Sequence, residues 1–464
     1  MPDAIWGVRP GTRSDLWNFH LHYHEFVVPL LASGPDGRRL AWDLIKGWLE
    51  SCPPANQALL ASWHPYVISC RIMPWTVALA SQPDEPLAGS LVRSLWRQLR
   101  VLAHHVEHDV GGNHLVRNAK ALAVGGALFR GSEADSMRLK GLRLMERSLA
   151  DQLGVDGGQV EGSPAYHALV LEDAFDSLLA APSFDLAGLR GYASRALSWI
   201  EAIAPVGAPR PHLNDSQDFG VPSTEDLLRQ AERVGVQASK LPASRMTPRY
   251  IVMGDAKMRV LFDAGQPCRP DLPYHSHADS LGILIDVEGR RVVPDRGVAT
   301  YAAGPERAWW RSTAAHSTVE VGGENSSEMI GAFRAGRLSR TTLERDERND
   351  VIAGHDGAGR RLYAHSRRVQ RQGDHSWRVT DVIPEKTDSV WRLHLVPGAE
   401  VEVGSAGARV RVGSLRLDVN VAGLGQIAVE QTPHAVAMGR TVAAPTLVAR
   451  ARTSRIEATI QVVE

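Results

Sequence analysis

The apolar positions in the first half of the chain repeat with the period of an α-helix. From residue 16 to residue 236 they recur three and four positions apart, and strand-like alternation is scarce. Short clusters of Gly, Pro and Asp separate the periodic stretches. The clearest predicted helices cover residues 89–105, 113–129, 136–153 and 165–179. This pattern predicts a succession of antiparallel helix pairs.

In the second half of the chain the period changes to two, which is typical of β-strands. The predicted strands cover residues 251–262, 281–287, 291–293, 318–321, 377–383, 390–396, 401–403, 410–421 and 456–463. Glu288-Gly289 separates two of them and predicts a tight hairpin. Residues 236–249, with Pro242 and Pro248, are the expected linker. We therefore expect a helical domain over 1–240 and an antiparallel β-sandwich domain over 250–464.

Length and charge narrow the class of protein. A chain of 464 residues is too long for one ordinary core, so at least two large domains are expected. The 52 basic and 52 acidic residues balance, which argues against a nucleic-acid or membrane-surface partner. A local cationic cleft for an anionic ligand stays compatible with a neutral total. Cys52, Cys70 and Cys268 are expected to be buried free thiols.

No stretch approaches the roughly 20 apolar residues of a membrane span, and no secretory signal is visible at Met1. The expected location is cytoplasmic for the chain as written, and periplasmic or secreted if a leader precedes it. A homo-oligomer is compatible with the sequence.

The densest cluster of chemically capable residues lies in the β-rich half. His275 and His277 are two positions apart, so in extended backbone they face the same side. Asp295 follows the hairpin, and His316 opens the next predicted strand. Two or three imidazoles with one carboxylate suit Zn²⁺. The alternative is a set of hydrogen-bonded histidines without a metal, since the chain contains 18 His.

Two further clusters stand where predicted helices begin. Gly111 and Gly112 precede Asn113-His114, and Asn113 is a good N-cap residue. Ser163 is the expected cap of another helix, with Pro164 at its first position. Capping does not explain His114. It does not explain Tyr166 either, although aromatic packing is the default role of that residue.

Together these clusters resemble the heparinase II/III family of polysaccharide lyases. The matching segments are Gly-Gly-Asn-His-Leu-Val-Arg-Asn-Ala-Lys-Ala-Leu from Gly111, Gly-Ser-Pro-Ala-Tyr-His from Gly162, His-Ser-His-Ala-Asp-Ser-Leu from His275, Val-Pro-Asp-Arg-Gly from Val293 and Arg-Ser-Thr-Ala-Ala-His-Ser-Thr-Val from Arg311. Their order and approximate separations also match, over residues 17–337. The resemblance implies an incomplete α/α toroid followed by an antiparallel β-sandwich. It also implies cleavage of a uronate-containing polysaccharide or oligosaccharide by β-elimination.

The resemblance also implies residue roles. Asn113, with His114 close by, would neutralise the substrate carboxylate as negative charge grows in the transition state. Tyr166 would be the acid, and the base would be either Tyr166 itself or His275, which matches the family's catalytic histidine. Asn113 and Tyr166 should then face His275 across one crevice.

His277, Asp295 and His316 match the family's zinc ligands, and the metal would hold the His275 loop rather than generate hydroxide. Two departures from the family pattern matter. Arg-Gly-Val follows Asp295 where relatives commonly have Pro-Gly-Thr. The position of Asn113 varies between Asn and His in the family, which leaves the stereochemistry of the cleaved uronate open.

Five more residues are candidates for binding the sugar. Tyr301, Trp309 and Arg311 would provide a stacking wall and an anion contact, with plain packing as the alternative. Trp17 and His22 belong to an aromatic and histidine-rich stretch that would line the cleft or serve the core.

Two other functions compete with a lyase. A non-catalytic glycan-binding relative would keep the fold without turnover, and a zinc hydrolase would use the His-x-His site to activate water. The sequence does not distinguish among uronate polymers, or between endo and exo cleavage.

Overall fold

The computed structural model describes residues 6, 15–54, 61–239, 249–360, 363–384, 387–405, 407–423 and 425–463. Most of the expected linker lies outside these residues. The chain divides into two compact units, each built from several segments. The first unit comprises Met1–Asp151, Glu172–Ala193 and Arg233–Val236, and the second comprises Gln152–Leu171, Ser194–Glu232 and Gln237–Glu464. The predicted domain boundary between residues 240 and 250 stays a prediction.

The helices dominate the first half of the described chain, as the periodicity predicts. They are α1 (Asp15–Tyr23), α2 (Val27–Ala32), α3 (Pro35–Ser51), α4 (Pro65–Ser81), α5 (Ala88–His104), α6 (Gly112–Ala127), α7 (Ser132–Gln152), α8 (Pro164–Leu179), α9 (Ala187–Ile203), α10 (Thr224–Arg233) and, much later, α11 (Pro305–Trp310). The four predicted helices correspond to α5, α6, α7 and α8, with ends that differ by four residues at most.

Helix α5 shows how the pattern produces the helical core. Leu91, Leu95, Leu99 and Leu102 lie three or four positions apart and are fully buried on one face. They pack in one cluster with apolar side chains of the neighbouring helices, including Trp48 of α3. Burying a leucine side chain contributes about 1.5–3 kcal/mol, so this face holds α5 in the first unit.

The strands of the described residues form four antiparallel sheets. They are β1 (Tyr250–Gly254), β2 (Met258–Asp263), β3 (Ile283–Val287), β4 (Arg290–Val293), β5 (Val319–Val321), β6 (Met329–Ile330), β7 (Arg334–Ala335), β8 (Thr341–Glu347), β9 (Asp350–His355), β10 (His365–Gly373), β11 (Ser376–Val382), β12 (Ser389–His394), β13 (Glu400–Val403), β14 (Gly407–Val412), β15 (Leu415–Ala422), β16 (Ala428–Ala437), β17 (Arg440–Ala451) and β18 (Arg455–Val463). The sheet orders are β1-β2-β3-β4, β13-β14-β15-β18-β11-β10-β9-β8, β16-β17-β12-β5 and β6-β7. Side chains from the three larger sheets share one apolar core.

Two predicted strands are each a hairpin instead. Residues 251–262 form β1 and β2, and residues 410–421 form β14 and β15. A glycine with a positive φ stands at each reversal, Gly254 at +92° and Gly413 at +60°. The predicted Glu288-Gly289 turn is confirmed between β3 and β4, with φ of 50° and 75° at its two residues. Positive φ at both central residues is the geometry that a two-residue hairpin favours.

The buried histidine at the end of β9 gives a test of stability against pH. Burial, followed by the charges of His365 and Arg360, lowers the pKa of His355 to about 3. The unfolded chain, with a histidine pKa near 6.5, then binds a proton before the folded chain does. The unfolding free energy should therefore fall as the pH drops below about 6.5, by up to about 1.4 kcal/mol per pH unit for this group.

Denaturation in urea at a series of pH values measures this slope. His355→Gln should reduce the dependence of the unfolding free energy on pH by the contribution of one proton, up to about 1.4 kcal/mol per pH unit, because the substitution removes the titrating group. His375→Gln is the matched control, since His375 is exposed. An identical slope in wild type and His355→Gln would contradict the assignment.

Candidate active site

Two histidines of one loop of the second unit meet a single buried carboxylate. His275 Nδ1 lies 3.1 Å from Asp215 Oδ2, and His277 Nε2 lies 2.9 Å from Asp215 Oδ1. The loop between β2 and β3 is irregular where extended backbone was expected. The expectation that the two imidazoles address one locus is nevertheless confirmed, because both reach the same carboxylate.

Asp215 is fully buried and carries its charge with the help of an arginine. Arg307 of α11 donates from both terminal nitrogens, at 2.5 and 2.8 Å, to the two carboxylate oxygens. Burial alone would raise the pKa of Asp215, but Arg307 and the hydrogen bond from His275 outweigh it and hold that pKa well below its usual range. Asn214 fixes the backbone here, because its amide donates to Gly162 O and accepts from His277 N. Asp215 is therefore a rigid anchor for both imidazoles.

Tyr166 lies on His275 at the start of α8. The two rings are stacked, with centroids 3.8 Å apart and an interplanar angle of 21°. The predicted cap is confirmed, since Ser163 Oγ accepts from Tyr166 N at 3.3 Å, with Pro164 at the first helical position. Gly162 has φ +72°, and a Cβ there would collide with Arg249. The sharp turn before α8 thus requires glycine, and the turn places Tyr166 against the histidine loop.

The phenol of Tyr166 is held in its neutral form. Burial, reinforced by the negative charge of Asp215, raises the pKa of Tyr166. Its hydroxyl lies 3.5 Å from the hydroxyl of Tyr301. At neutral pH this side chain therefore retains a proton that it can donate.

A second carboxylate approaches the other nitrogen of His275. Glu161 Oε2 lies 3.5 Å from His275 Nε2, and Glu161 is fully buried. Gln159 donates to Glu161 Oε1 at 2.6 Å and accepts from Glu161 N at 3.1 Å. His275 thus has an acidic neighbour at each ring nitrogen, with its Nδ1 bonded to Asp215.

The predicted zinc ligands lie close together without completing a metal site. His316 Nδ1 lies 2.7 Å from Asp295 Oδ2, and the rings of His277 and His316 are 5.5 Å apart. His277 Nδ1 and His316 Nε2 are buried with no hydrogen-bond partner, so two nitrogen donors remain available. Asp295 is engaged by His316 and by the amide of Gly297. Across the described ranges, no three His, Cys, Asp or Glu side chains are arranged to hold a metal. The predicted zinc ion therefore stays a prediction.

Family models match nearly the whole chain. The model of the heparinase II/III N-terminus matches residues 5–217, and that of the heparinase II/III-like C-terminal region matches residues 248–462. The chain belongs to the heparinase II/III family. This confirms the resemblance that the five sequence motifs indicate.

Individual relatives of this heparinase II/III family member are distant in sequence. FtsZ-localized protein C of Caulobacter vibrioides is 25% identical over 441 residues, which cover 84% of this chain and 71% of that protein. A heparin-sulfate lyase of Bacteroides stercoris is 25% identical over 299 residues, which cover 57% of this chain and 44% of that lyase.

Solved structures show the heparinase fold. A crystal structure of heparinase III matches 99% of this chain and 79% of its own, with a TM-score of 0.81 and 18% identity. The crystal structure of a heparan sulfate lyase HepC mutant from Pedobacter heparinus matches 99% of this chain and 78% of the lyase chain, with a TM-score of 0.68 and 16% identity. The predicted fold class, an incomplete α/α toroid followed by an antiparallel β-sandwich, is confirmed. No described helix of this family member is long and apolar enough to cross a membrane.

Two of the other predicted sugar-binding residues of the second unit, Tyr301 and Arg311, contact Arg307 or the histidine loop. Arg307 lies over the ring of Tyr301, 5.1 Å from its centroid. Trp309 packs edge-on against Trp310. Arg311 is fully buried and donates to the main-chain carbonyls of Ser276, Gly331 and Arg334. The hydrogen bond from Arg311 to Ser276 O helps to hold the loop that carries His275, and the direct roles of Tyr301, Trp309 and Arg311 at the substrate stay predictions.

Trp17 and His22 belong to the first unit and differ in environment. Trp17 is 37% exposed, whereas His22 is buried and accepts a hydrogen bond from Trp48 Nε1 at 3.1 Å. Burial, followed by the charge of Arg71, lowers the pKa of His22 to about 3. His22 is thus a neutral acceptor within the core, and its predicted contact with sugar stays a prediction.

Asn113 and His114 lie in the first turn of α6, also in the first unit. The expectation that Asn113 caps this helix is wrong, since α6 begins at Gly112 and Gly111 occupies the cap with φ +68°. Asn113 is therefore the second helical residue. His114 Nδ1 lies 3.0 Å from Glu107 Oε1. Their predicted place at the substrate carboxylate stays a prediction.

Sequence reasoning missed three residues of the site: Asp215, Arg307 and Glu161. None belongs to a periodic stretch, and Asp215 lies in a loop where acidic residues are common. Arg307 had one available signal, because it precedes Arg311 by four positions and so shares a helix face with it.

Proposed function

We propose that this chain is a polysaccharide lyase that cleaves a uronate-containing glycan by β-elimination, with Tyr166 as acid and His275 as base. The observation that carries the proposal is the stack of Tyr166 on a histidine whose Nδ1 is fixed by Asp215. Membership of the family and the lyase named among the relatives support the reaction class.

The reaction requires one base and one acid close to each other. The base takes the proton on the carbon next to the uronate carboxylate, and the electrons of that C–H bond form a carbon–carbon double bond. The bond to the glycosidic oxygen breaks with its electron pair, and the acid protonates that oxygen. The products are an unsaturated uronide and a free hydroxyl, and no water is consumed.

His275 suits the role of base because its tautomer is fixed. Asp215 as a carboxylate accepts from Nδ1, so the proton of the neutral ring stands there. Nε2, which lies 3.5 Å from Glu161 Oε2, then carries the lone pair that receives the substrate proton, and the Glu161 carboxylate would stabilise the imidazolium that forms. Arg307 keeps Asp215 ionised, and the bidentate contact prevents it from turning away.

Tyr166 suits the role of acid because its raised pKa opposes ionisation. A tyrosine acting as base would need positive charge or donors to lower its pKa, whereas here Asp215 has the opposite effect. The parallel rings bring both groups to one location. After one turnover, His275 releases its extra proton to solvent and Tyr166 takes up a proton from solvent, which restores both groups.

The group that neutralises the substrate carboxylate is carried over from the family resemblance. Asn113 and His114 match those positions, and the amide of Asn113, with His114 close by, can donate a hydrogen bond to the carboxylate and so stabilise the enolate-like transition state. The proposed substrate class is an anionic glycan because the reaction requires a substrate that carries this carboxylate.

A panel of uronate polymers and their oligosaccharides tests the proposal. The conjugated uronide absorbs in the ultraviolet, so rising absorbance with wild type on at least one substrate is the expected result. Cleavage without that absorbance would overturn the elimination chemistry.

A second candidate function is a non-catalytic glycan-binding relative. The observation that favours it is the relative from Caulobacter vibrioides, whose name describes a location rather than an activity. Binding of a glycan to wild type, without cleavage of any polymer or oligosaccharide in the panel, would favour this candidate over the lyase.

A further inference from the structure

The carboxylate of Glu107 is the centre of a polar cluster in the first unit. Glu107 is 6% exposed and lies in the turn that leads from α5 to α6. One oxygen, Oε1, lies 3.0 Å from His114 Nδ1 and 3.9 Å from His64 Nδ1. Both histidines are partly exposed, whereas the carboxylate between them is not.

The other side of Glu107 is fastened to the interior. Its Oε2 accepts from Asn118 Nδ2 at 2.9 Å, and its main-chain N–H donates to Asn118 Oδ1 at 2.9 Å. Asn118 is fully buried and also donates to Ser69 Oγ at 3.0 Å. Glu107 therefore cannot rotate without breaking buried hydrogen bonds, which cost about 1–3 kcal/mol each when left unpaired.

The ring of His114 is fixed in a second way. Tyr66 stacks on it with centroids 4.0 Å apart and an interplanar angle of 24°. One face and one nitrogen of the imidazole are thus committed. The remaining nitrogen, Nε2, has no hydrogen-bond partner in the part of the chain that the structure describes, and the side chain is 30% exposed.

We propose that Glu107 is a positioning residue that keeps the neutral His114 ring protonated at Nδ1 and presents Nε2 as an acceptor to a hydroxyl group of the ligand. A carboxylate only accepts hydrogen bonds, so His114 must be the donor in their contact. The identity of the ligand as the uronate glycan rests on the proposed function, whereas the tautomer does not. Buried partners of this kind typically change activity 10–100-fold when removed, by analogy with second-layer partners of metal-bound histidines.

Glu107→Gln tests the proposal because it reverses one hydrogen bond. The amide oxygen must face Asn118, since two donors would otherwise meet there. The amide nitrogen then faces His114 Nδ1 and donates to it, so the proton of the neutral ring moves to Nε2. Nε2 changes from an acceptor to a donor with little change in shape.

Nitrogen chemical shifts of the His114 imidazole report the tautomer directly. Wild type should show the proton on Nδ1 and Glu107→Gln should show it on Nε2, while Glu107→Asp, which keeps the carboxylate, should resemble wild type. Glu133→Gln is the matched control, since Glu133 is about half-exposed and in the same unit. The same tautomer in wild type and Glu107→Gln would overturn the proposal.

Turnover is the second readout. On a substrate that wild type cleaves, kcat/KM should fall about 10–100-fold in Glu107→Gln and stay unchanged in Glu133→Gln. A changed tautomer with an unchanged kcat/KM would overturn the claim that His114 Nε2 contacts the ligand. If wild type cleaves nothing, the proposed function fails, and the chemical shifts still decide the role of Glu107.

Discussion

Tyr166→Phe is expected to lower kcat by about 10²–10⁴-fold while the fold is retained. The change removes only the hydroxyl, and the ring still stacks on His275. The departing glycosidic oxygen then has no positioned acid, and general acid catalysis typically contributes that factor. Steady-state rates on a cleaved uronate glycan measure the loss.

Tyr363→Phe is the matched control, because it removes a phenol elsewhere in the second unit, where Tyr363 lies beside Arg360. It should retain the wild-type kcat. Full activity in Tyr166→Phe would remove this residue from the chemistry and leave His275 without its proposed partner.

Asp215→Asn is expected to have the second large effect, of about 10²–10⁴-fold on kcat. An asparagine amide in this place would donate toward one imidazole nitrogen and force the wrong tautomer, which costs about 10⁴-fold in the Ser-His-Asp enzymes. The change also leaves Arg307 buried without its counter-charge. Breaking a buried ion pair in this way destabilises a protein by about 3–5 kcal/mol.

Measuring kcat and the thermal midpoint on the same samples separates the effect of the wrong imidazole tautomer on catalysis from the effect of the unpaired Arg307 on stability. Asp218→Asn is the matched control, because Asp218 is nearby in sequence but its side chain is 64% exposed. If Asp215→Asn does not fold, Asp215→Glu keeps the charge and tests the positioning alone, with a smaller expected loss. Wild-type kcat in a folded Asp215→Asn would show that this carboxylate does not orient the base.

The sequence predicts the fold well because burial imposes a period. The leucines of α5 repeat every three or four positions and can be recognised without coordinates. The prediction fails where polar residues dominate a strand. β8 and β16 alternate only weakly between buried and exposed residues, so their pattern carried no signal. Two hairpins, β1-β2 and β14-β15, were each predicted as a single strand. In each, only a short turn with one glycine separates the two strands.

The site was predictable only in part. His275 and Tyr166 belong to local motifs whose residues stand together in sequence. Asp215 and Arg307 are 92 residues apart, and only the tertiary structure brings them together. Asn113 shows an error of a different kind. Its side chain is a good helix cap, yet Gly111, two positions earlier, occupies the cap position.

The most direct test of the account is cleavage in heavy-oxygen water, followed by mass analysis of the products. Elimination transfers a proton and breaks a bond without adding water, so neither product should gain a heavy oxygen atom during cleavage, and the two product masses should sum to that of the substrate. Hydrolysis by the same cluster of histidines would add one heavy oxygen per bond cleaved. Products that carry this label would contradict the proposed chemistry of Tyr166 and His275.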